Sequence, residues 1–226
     1  MADYLCSWLI RAAMLVGVLL AGCAGVGRQP AAPELRETRY GLVRGVNDSA
    51  ASGTYVWKGI PFARPPVGDL RWQPPVAPEA WQGERDATRF GQACLQIGRI
   101  YGPGANNRFD ETIGQTLNTP VGSEDCLTLN IWRPANEQGQ LPVLLFLHGG
   151  SAISGYTADP VYDGAALARA AGAVVVTANY RLDVLGFLHL PDLQAGHQPA
   201  TGNYALLEIG RAHVWPPACH WQLCVA

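Results

Sequence analysis

The chain has 226 residues, which is enough for one ordinary domain with a sizeable core. Apolar residues make up 48% and charged residues 15%, a balance typical of globular proteins and unlike that of mainly disordered ones. The net charge of −2 gives no sign of a basic surface, so the composition argues against nucleic acid as a partner.

The first 23 residues have the pattern of a bacterial lipoprotein signal peptide. Arg11 precedes an apolar run over 12–20, which is too short to span a bilayer but typical of a signal-peptide core. Leu20-Ala21-Gly22-Cys23 follows and resembles a lipobox, whose cysteine receives lipid and becomes the new N-terminus. We therefore predict export and a lipid anchor on Cys23. Ala24 favours the outer membrane by resemblance to bacterial sorting patterns. An ordinary secretory signal cleaved nearby is the alternative.

A strand-rich region follows the signal peptide. Residues 24–37 are predicted to form a flexible tether. Residues 40–62 then alternate strand-forming side chains with Gly and Asn, which predicts two or three antiparallel strands joined by polar turns around 47–53. A proline-rich ordered loop comes next, and we expect its tryptophans to pin it to the body of the domain.

The segment Leu141–Ser151, LPVLLFLHGGS, combines an apolar run with two glycines. Its unbroken run Val143–Leu147 predicts a strand buried on both faces, as in a parallel sheet. Gly149 and Gly150 follow His148, and glycines let backbone N–H groups face a ligand with no side chain in the way. Such donors suit an oxygen that becomes negative during a reaction. A tight turn without further role would account for the glycines as well.

A helix and a second buried strand are predicted after this loop. Asp163 is placed to cap a helix that begins near Ala165, and Gly172 to end it. Residues 173–177 form a second apolar run. Strand, loop, helix and strand together predict a right-handed βαβ unit.

A series of motifs in fixed order resembles the N-terminal part of the type B carboxylesterases, the family that also contains cholinesterases. The motifs are GIPFARPPVGDLRW, W-x-G-x-RDATRFG, SEDCLTLNIWRP, LPVLLFLHGG, YDGAALA, VVVTANYRL and LGFL. The resemblance covers roughly Thr38 to Ile209. It implies an α/β-hydrolase fold of the α/β class, incomplete here, in which N-terminal antiparallel strands lead into a parallel sheet with flanking helices.

The resemblance also assigns structural roles to two pairs of side chains. The family's first disulfide would join Cys94 to Cys126, and oxidation is expected in an exported chain. Arg71 and Glu124 would form a buried ion pair under the active-site loop.

In the oxyanion loop, the amides of Gly150 and Ser151 would be the donors, with Gly149 giving the bend. The family commonly has a third glycine where Ser151 stands, but a serine still carries an amide. Asp183 occupies a usual glycine position, which predicts a local difference in that turn. The expected substrate is a small-molecule carboxylic ester, and neither a cofactor nor a metal is implied.

No triad is recognisable in this chain. None of its six serines lies in a G-x-S-x-G motif, and Ser151 is a poor candidate for the nucleophile. The family's nucleophile, acid and histidine would all follow the helix that begins near Tyr204.

After Ile209 the family pattern is lost, and Pro216-Pro217 would stop a helix. A metal site in the tail fits no common zinc pattern; its ligands would be His213, Cys219, His220 and Cys224. We interpret the tail as the product of a shifted reading frame.

These observations predict four parts: a signal peptide with lipobox (1–23), the tether (24–37), the N-terminal part of a carboxylesterase domain (38–210) and a divergent tail (211–226). The predicted product is an inactive fragment of a secreted serine carboxylic-ester hydrolase. The alternative hypothesis is a non-catalytic binding protein on the same fold.

Overall fold

The computed structural model describes residues 32–109, 112–136, 139–189 and 202–214. The predicted signal peptide and Cys23 lie outside these residues. The strands are β1 (Leu35–Thr38), β2 (Gly41–Arg44), β3 (Val46–Asp48), β4 (Thr54–Pro61), β5 (Glu84–Asp86), β6 (Gln96–Ile97), β7 (Pro120–Val121), β8 (Thr128–Pro134), β9 (Val143–Leu147) and β10 (Val174–Ala178). The helices are α1 (Ala165–Ala171), α2 (Asp183–Phe187) and α3 (Tyr204–Val214), with short 3-10 turns at Gly68–Leu70 and Pro160–Tyr162.

A five-stranded mixed sheet in the order β3-β4-β8-β10-β9 forms the centre of the described part. β3, β4, β8 and β10 pair antiparallel in turn, and β9 pairs parallel with β10. β1, β2 and β5 form a second sheet, and β6 pairs with β7. The predicted fold class, an incomplete α/β-hydrolase with an antiparallel start, is confirmed.

The N-terminal strands agree with the prediction except at the tether. β3 and β4 form the expected antiparallel hairpin, whose turn is closed by Ser52 and Gly53 amides donating to the Asp48 carbonyl. The tether was predicted to reach residue 37, but Leu35–Thr38 are strand β1. This is a correction, and its physical reason is pairing: β1 lies antiparallel to β2, and Trp57 Nε1 donates to the Glu34 carbonyl at 2.8 Å.

Central strands β4, β8 and β10 bury side chains on both faces of the sheet. Trp57, Ile131 and Val176 belong to the larger core cluster, which Ala205 and Ala212 of α3 also join. Val56, Trp132 and Val175, next to them in sequence, pack in a second cluster with Ala165 and Ala168 of α1. Helices therefore contribute to the burial of these strands on both sides.

The two predicted apolar strands, β9 and β10, differ in burial. β10 is buried along its whole length, as predicted. β9 was predicted to be buried on both faces, but Leu144 and Phe146 are each 40% exposed. The reason is position, because β9 stands at the edge of the described sheet and has β10 as its one neighbour there.

Helix α1 ends where its sequence predicts, but its N-cap residue is Gly164, which makes no side-chain cap hydrogen bond, and not the predicted Asp163. Asp163 lies one residue earlier and still contacts the first turn. The Ala165 amide donates to Asp163 Oδ1 at 2.9 Å. Gly172 ends the helix in the left-handed conformation with φ 57°. β9 and β10 lie side by side and parallel, as the predicted βαβ unit requires.

Helix α3 crosses the boundary predicted at residue 210. Ala212 is buried, and Arg211 Nε donates to the Phe62 carbonyl at 3.0 Å. The first residues of the segment predicted to be divergent therefore continue the packed helix. Within the described ranges, no helix has the length and apolar character needed to cross a membrane.

Candidate functional site

The chain reverses sharply after β9 in residues 148–155, which we call the oxyanion loop after the role that the sequence resemblance predicts for them. Gly150 has φ 122°, and a Cβ at this position would lie 2.0 Å from the Ser154 carbonyl oxygen. The amides of Ile153 and Ser154 both donate to the Gly150 carbonyl. The bend was assigned to Gly149, but the positive φ falls at Gly150, where the tight turn leaves no room for a side chain.

Two non-glycine residues continue this turn with left-handed backbone. Ser151 has φ 57° and Ala152 has φ 61°, a region that costs free energy for residues with a Cβ. Asp183, at a position where the resemblance predicts glycine, also has a left-handed φ of 49°. Its amide donates to the Ala152 carbonyl at 2.7 Å, so the turn keeps a glycine-like backbone and supports the loop.

The amides of Gly149, Gly150 and Ser151 are the candidate donors. Within the described ranges, none of the three donates to a protein carbonyl or side chain. Gly149 and Gly150 line a cavity of about 670 Å³, whose other walls include Ile97, Leu117 and Tyr156. Burial raises the pKa of Tyr156, with Asp159 and Tyr162 adding to the effect, so its hydroxyl stays neutral. Two of the three candidate donors therefore belong to residues that line a partly apolar cavity.

His148, the first residue of the loop, is buried against Tyr180. Their rings stack with centroids 4.5 Å apart, and the Tyr180 hydroxyl donates to the His148 carbonyl at 2.7 Å. Burial lowers the pKa of His148, and the Gly149 carbonyl opposes that effect. Sequence reasoning gave His148 no role, although a polar residue directly after an apolar run was a signal.

The disulfide ties a second segment to the oxyanion loop. Cys94 and Cys126 are bonded in the structure, as the resemblance implied. Gln96, two residues beyond Cys94, exchanges two hydrogen bonds of 2.9 Å with the backbone of Gly155. Gln96 Nε2 also donates to the Cys94 carbonyl. The side chain of Gln96 therefore connects the disulfide to the oxyanion loop.

Buried amide side chains hold the loop from the sheet. Asn179, directly after β10, accepts from the Thr157 amide and donates to the Gln92 carbonyl. Asn130 of β8 donates to the hydroxyls of Thr157 and Thr177 at 3.0 Å each. These bonds fix the backbone that leaves the loop relative to β8 and β10.

The ion pair of Arg71 and Glu124 is present but is not buried. Two hydrogen bonds of 2.7 and 2.6 Å join the side chains, which are 38% and 21% exposed. This corrects the prediction of a buried pair, because both groups keep contact with solvent. The pairing raises the pKa of Arg71.

A second pair, of Arg181 and Glu208, is the buried one. These side chains are 2% and 0% exposed, and Glu208 accepts from both Nε and the backbone amide of Arg181. Burial raises the pKa of Glu208, while Arg181 opposes this. The sequence signal was one charged residue three positions after a buried strand, Arg181, and another inside an apolar helix, Glu208. The pair connects the end of β10 to α3.

The described residues contain no cluster of three or more His, Cys, Asp or Glu that would hold a metal ion. Of the four tail residues weighed as ligands, His213 alone lies among them, exposed on α3.

Comparisons with known proteins point in one direction. Residues 32–215 match the carboxylesterase family. The chain is 41% identical over 220 residues to the fumonisin B1 esterase of Sphingopyxis macrogoltabida, covering 92% of this chain and 37% of that protein. It is 37% identical over 178 residues to the para-nitrobenzyl esterase of Bacillus subtilis strain 168, covering 79% of this chain and 33% of that protein.

Solved structures give the same result. A thermophilic pNB esterase superimposes with a TM-score of 0.70 at 34% identity, covering 84% of this chain and 36% of that one. A carboxylesterase from Geobacillus stearothermophilus superimposes with a TM-score of 0.65 at 42% identity, covering 80% of this chain and 33% of that one. The chain thus spans roughly a third of the length of the relatives it matches.

Proposed function

The chain belongs to the carboxylesterase family, and on that premise we propose that it supplies the oxyanion-binding part of an exported serine carboxylic-ester hydrolase. The observation that carries this proposal is the set of amides at Gly149, Gly150 and Ser151, which have no protein acceptor in the described ranges. Gly149 and Gly150 also line a cavity. Amides placed in advance where negative charge develops stabilise a transition state without reorganising during the reaction.

The chemistry is acyl transfer to a serine, followed by hydrolysis. A serine hydroxyl attacks the ester carbonyl, and its proton passes to a histidine. The carbonyl oxygen becomes an oxyanion, which accepts from the loop amides and from the amide after the nucleophile. No residue of this chain is assigned as nucleophile, acid or general base, so the chain contributes binding and stabilisation. The substrate is a small-molecule carboxylic ester, and no cofactor takes part.

The chain alone should not hydrolyse esters. Purified residues 24–226 are expected to turn over p-nitrophenyl acetate no faster than an unrelated protein with the same number of histidines. The physical reason is that oxyanion donors without a positioned nucleophile and base have no bond-forming step to accelerate. Ser151→Ala should leave that background unchanged. Saturable turnover that Ser151→Ala abolishes would instead make Ser151 the nucleophile and contradict the proposal.

The loop itself is testable in a chimera that places residues 32–214 before the remaining two thirds of the Bacillus subtilis esterase. Gly150→Ala keeps the amide, but its Cβ would lie 2.0 Å from the Ser154 carbonyl oxygen and would displace the loop. In a folded, active chimera kcat should fall about 10²- to 10³-fold, as when one oxyanion donor is lost. The matched control is Gly139→Ala, also at a positive φ of 83° but with open space around a Cβ. Equal activities for the two variants would count against an oxyanion role.

Export and lipid anchoring rest on the sequence pattern at Leu20–Cys23, which lies outside the described residues. In a bacterial host, Cys23 should carry lipid and the chain should sediment with membranes, the outer membrane above all. Cys23→Ala should release most of the chain to the periplasm, because a signal peptide without its lipobox cysteine supplies no acyl anchor. Mass spectrometry of the N-terminal peptide checks the modification, and an unmodified Cys23 in a soluble wild-type chain would disprove it.

A further inference from the structure

His148 sits inside the oxyanion loop in a closed environment. Its side chain is 3% exposed and lies between the stacked ring of Tyr180 and the backbone of Gly155. A Cβ at Gly155 would lie 2.3 Å from His148 Nδ1, so this glycine backbone passes against the edge of the ring. The imidazole therefore has no room to turn without moving the loop.

The hydrogen bonds of the ring select one protonation state. His148 Nδ1 lies 3.0 Å from the Gly149 carbonyl oxygen. Because a carbonyl only accepts, Nδ1 carries the hydrogen and donates it. Nε2 then holds a lone pair, and it is buried without a hydrogen-bond partner among the described residues. Protonating Nε2 would create a buried N–H without an acceptor, together with a buried charge.

The surroundings supply no opposite charge to compensate this one, and the Gly149 carbonyl favours the protonated ring less than burial disfavours it. Tyr180 is the titratable group that faces the ring, and burial raises its pKa, so its hydroxyl stays neutral and donates to the His148 carbonyl. Burial and the Gly149 carbonyl are the influences on the pKa of His148, and no carboxylate or cation among the described residues contributes.

We propose that neutral His148 is a positioning residue, which holds the oxyanion loop through the Gly149 carbonyl and the Tyr180 ring and releases the loop when its imidazole is protonated. Gly149 lies between His148 and Gly150, so a change at the ring reaches the candidate donors directly. The catalytic role of the loop rests on the proposed function. The coupling between protonation of His148 and the position of the loop amides does not depend on it.

The sign of the pH effect follows from burial. The pKa of His148 in the folded chain lies below its ordinary value of 6.5, whereas in the unfolded chain it is ordinary. Stability from the neutral ring is therefore complete above 6.5 and is lost as the pH falls toward the lowered value. Acid should loosen the loop before it unfolds the sheet.

The test is a pH titration of the full chain by NMR, from about pH 8 to about pH 5. We expect His148 to remain the Nδ1–H tautomer at neutral pH, and its protonation midpoint to lie below 6.5. The amides of Gly149, Gly150 and Ser151 should shift with the same midpoint. His148→Phe, which keeps an aromatic ring against Tyr180, should abolish that shift. His213→Gln, at an exposed histidine on α3, should leave it unchanged.

Coincidence of the midpoints is measured in the wild-type chain, so the proposal stays falsifiable if His148→Phe does not fold. Loop amides that do not follow the titration of His148, or that titrate equally in His148→Phe, would overturn it. A midpoint at or above 6.5 would do the same. None of these measurements uses ester hydrolysis. The proposed function is tested separately, by the activity of the chimera, so the two proposals can fail independently.

Discussion

Glu208→Gln should lower the free energy of unfolding by about 3–5 kcal/mol, the usual cost of removing one partner of a buried ion pair. Arg181 would keep its charge in a place where it is 2% exposed, with Gln73 as its remaining carbonyl acceptor. The loss should be measured by urea denaturation of residues 24–226, monitored by the fluorescence of the buried tryptophans.

Two controls separate the buried charge from other effects. Glu84→Gln breaks the exposed pair of Glu84 with Arg44, whose side chains are 42% and 43% exposed, and should change stability far less than Glu208→Gln because solvent screens both charges. The double variant Arg181→Met with Glu208→Leu removes both charges and should recover much of the loss. If the double variant is no more stable than Glu208→Gln, then packing, and not an unpaired charge, accounts for the effect.

Replacing Cys94 and Cys126 together by alanine should lower the free energy of unfolding by roughly 3–4 kcal/mol. The bond joins residues 32 positions apart. In the chain-entropy model, opening a loop of that length raises the conformational entropy of the unfolded chain and so stabilises the unfolded state by this amount. Because Gln96 connects the disulfide region to Gly155, the amides of the oxyanion loop should also exchange faster in this variant.

The measurement is urea denaturation with and without reductant. The double alanine variant should show no further effect of reductant, which serves as its control. Peptide mapping without reduction should find Cys94 linked to Cys126. A bond from Cys94 to Cys219 or Cys224 would show that the tail takes part in the fold and would contradict our interpretation of the tail.

The order of elements was predictable because each apolar run has local signals at its ends. The run 173–177 was correctly predicted as a buried strand, which is observed at Val174–Ala178, and Gly172 ends the helix before it as predicted. The same reasoning failed for Val143–Leu147, since an apolar run shows which faces a strand is suited to bury and not which neighbours are present. Leu144 and Phe146 are apolar, as in a central strand, but they lie on β9, which is an edge strand of the described sheet, and so they are partly exposed.

The site was predictable at the level of backbone and less so for its supporting side chains. Two consecutive glycines after an apolar run indicate a tight turn, and Gly150 does have a positive φ in such a turn. Its role as an oxyanion donor stays a prediction. The pairing of Arg181 with Glu208 depends on where α3 packs against the end of β10, and no local pattern specifies that distance. His148 was missed for a related reason, because its role depends on Tyr180, which is remote in sequence.

The position of β8 in the sheet has a consequence for the order in which the chain folds. β4 pairs with β8 across a gap of roughly 70 residues, whereas β9 meets β10 after about half that distance. During synthesis the hairpin of β3 and β4 therefore emerges long before its partner, with Trp57 and Ile60 uncovered. If the chain is exported before it folds, as proposed above, its early strands would meet this delay after crossing the membrane and would stay uncovered until β8 arrives.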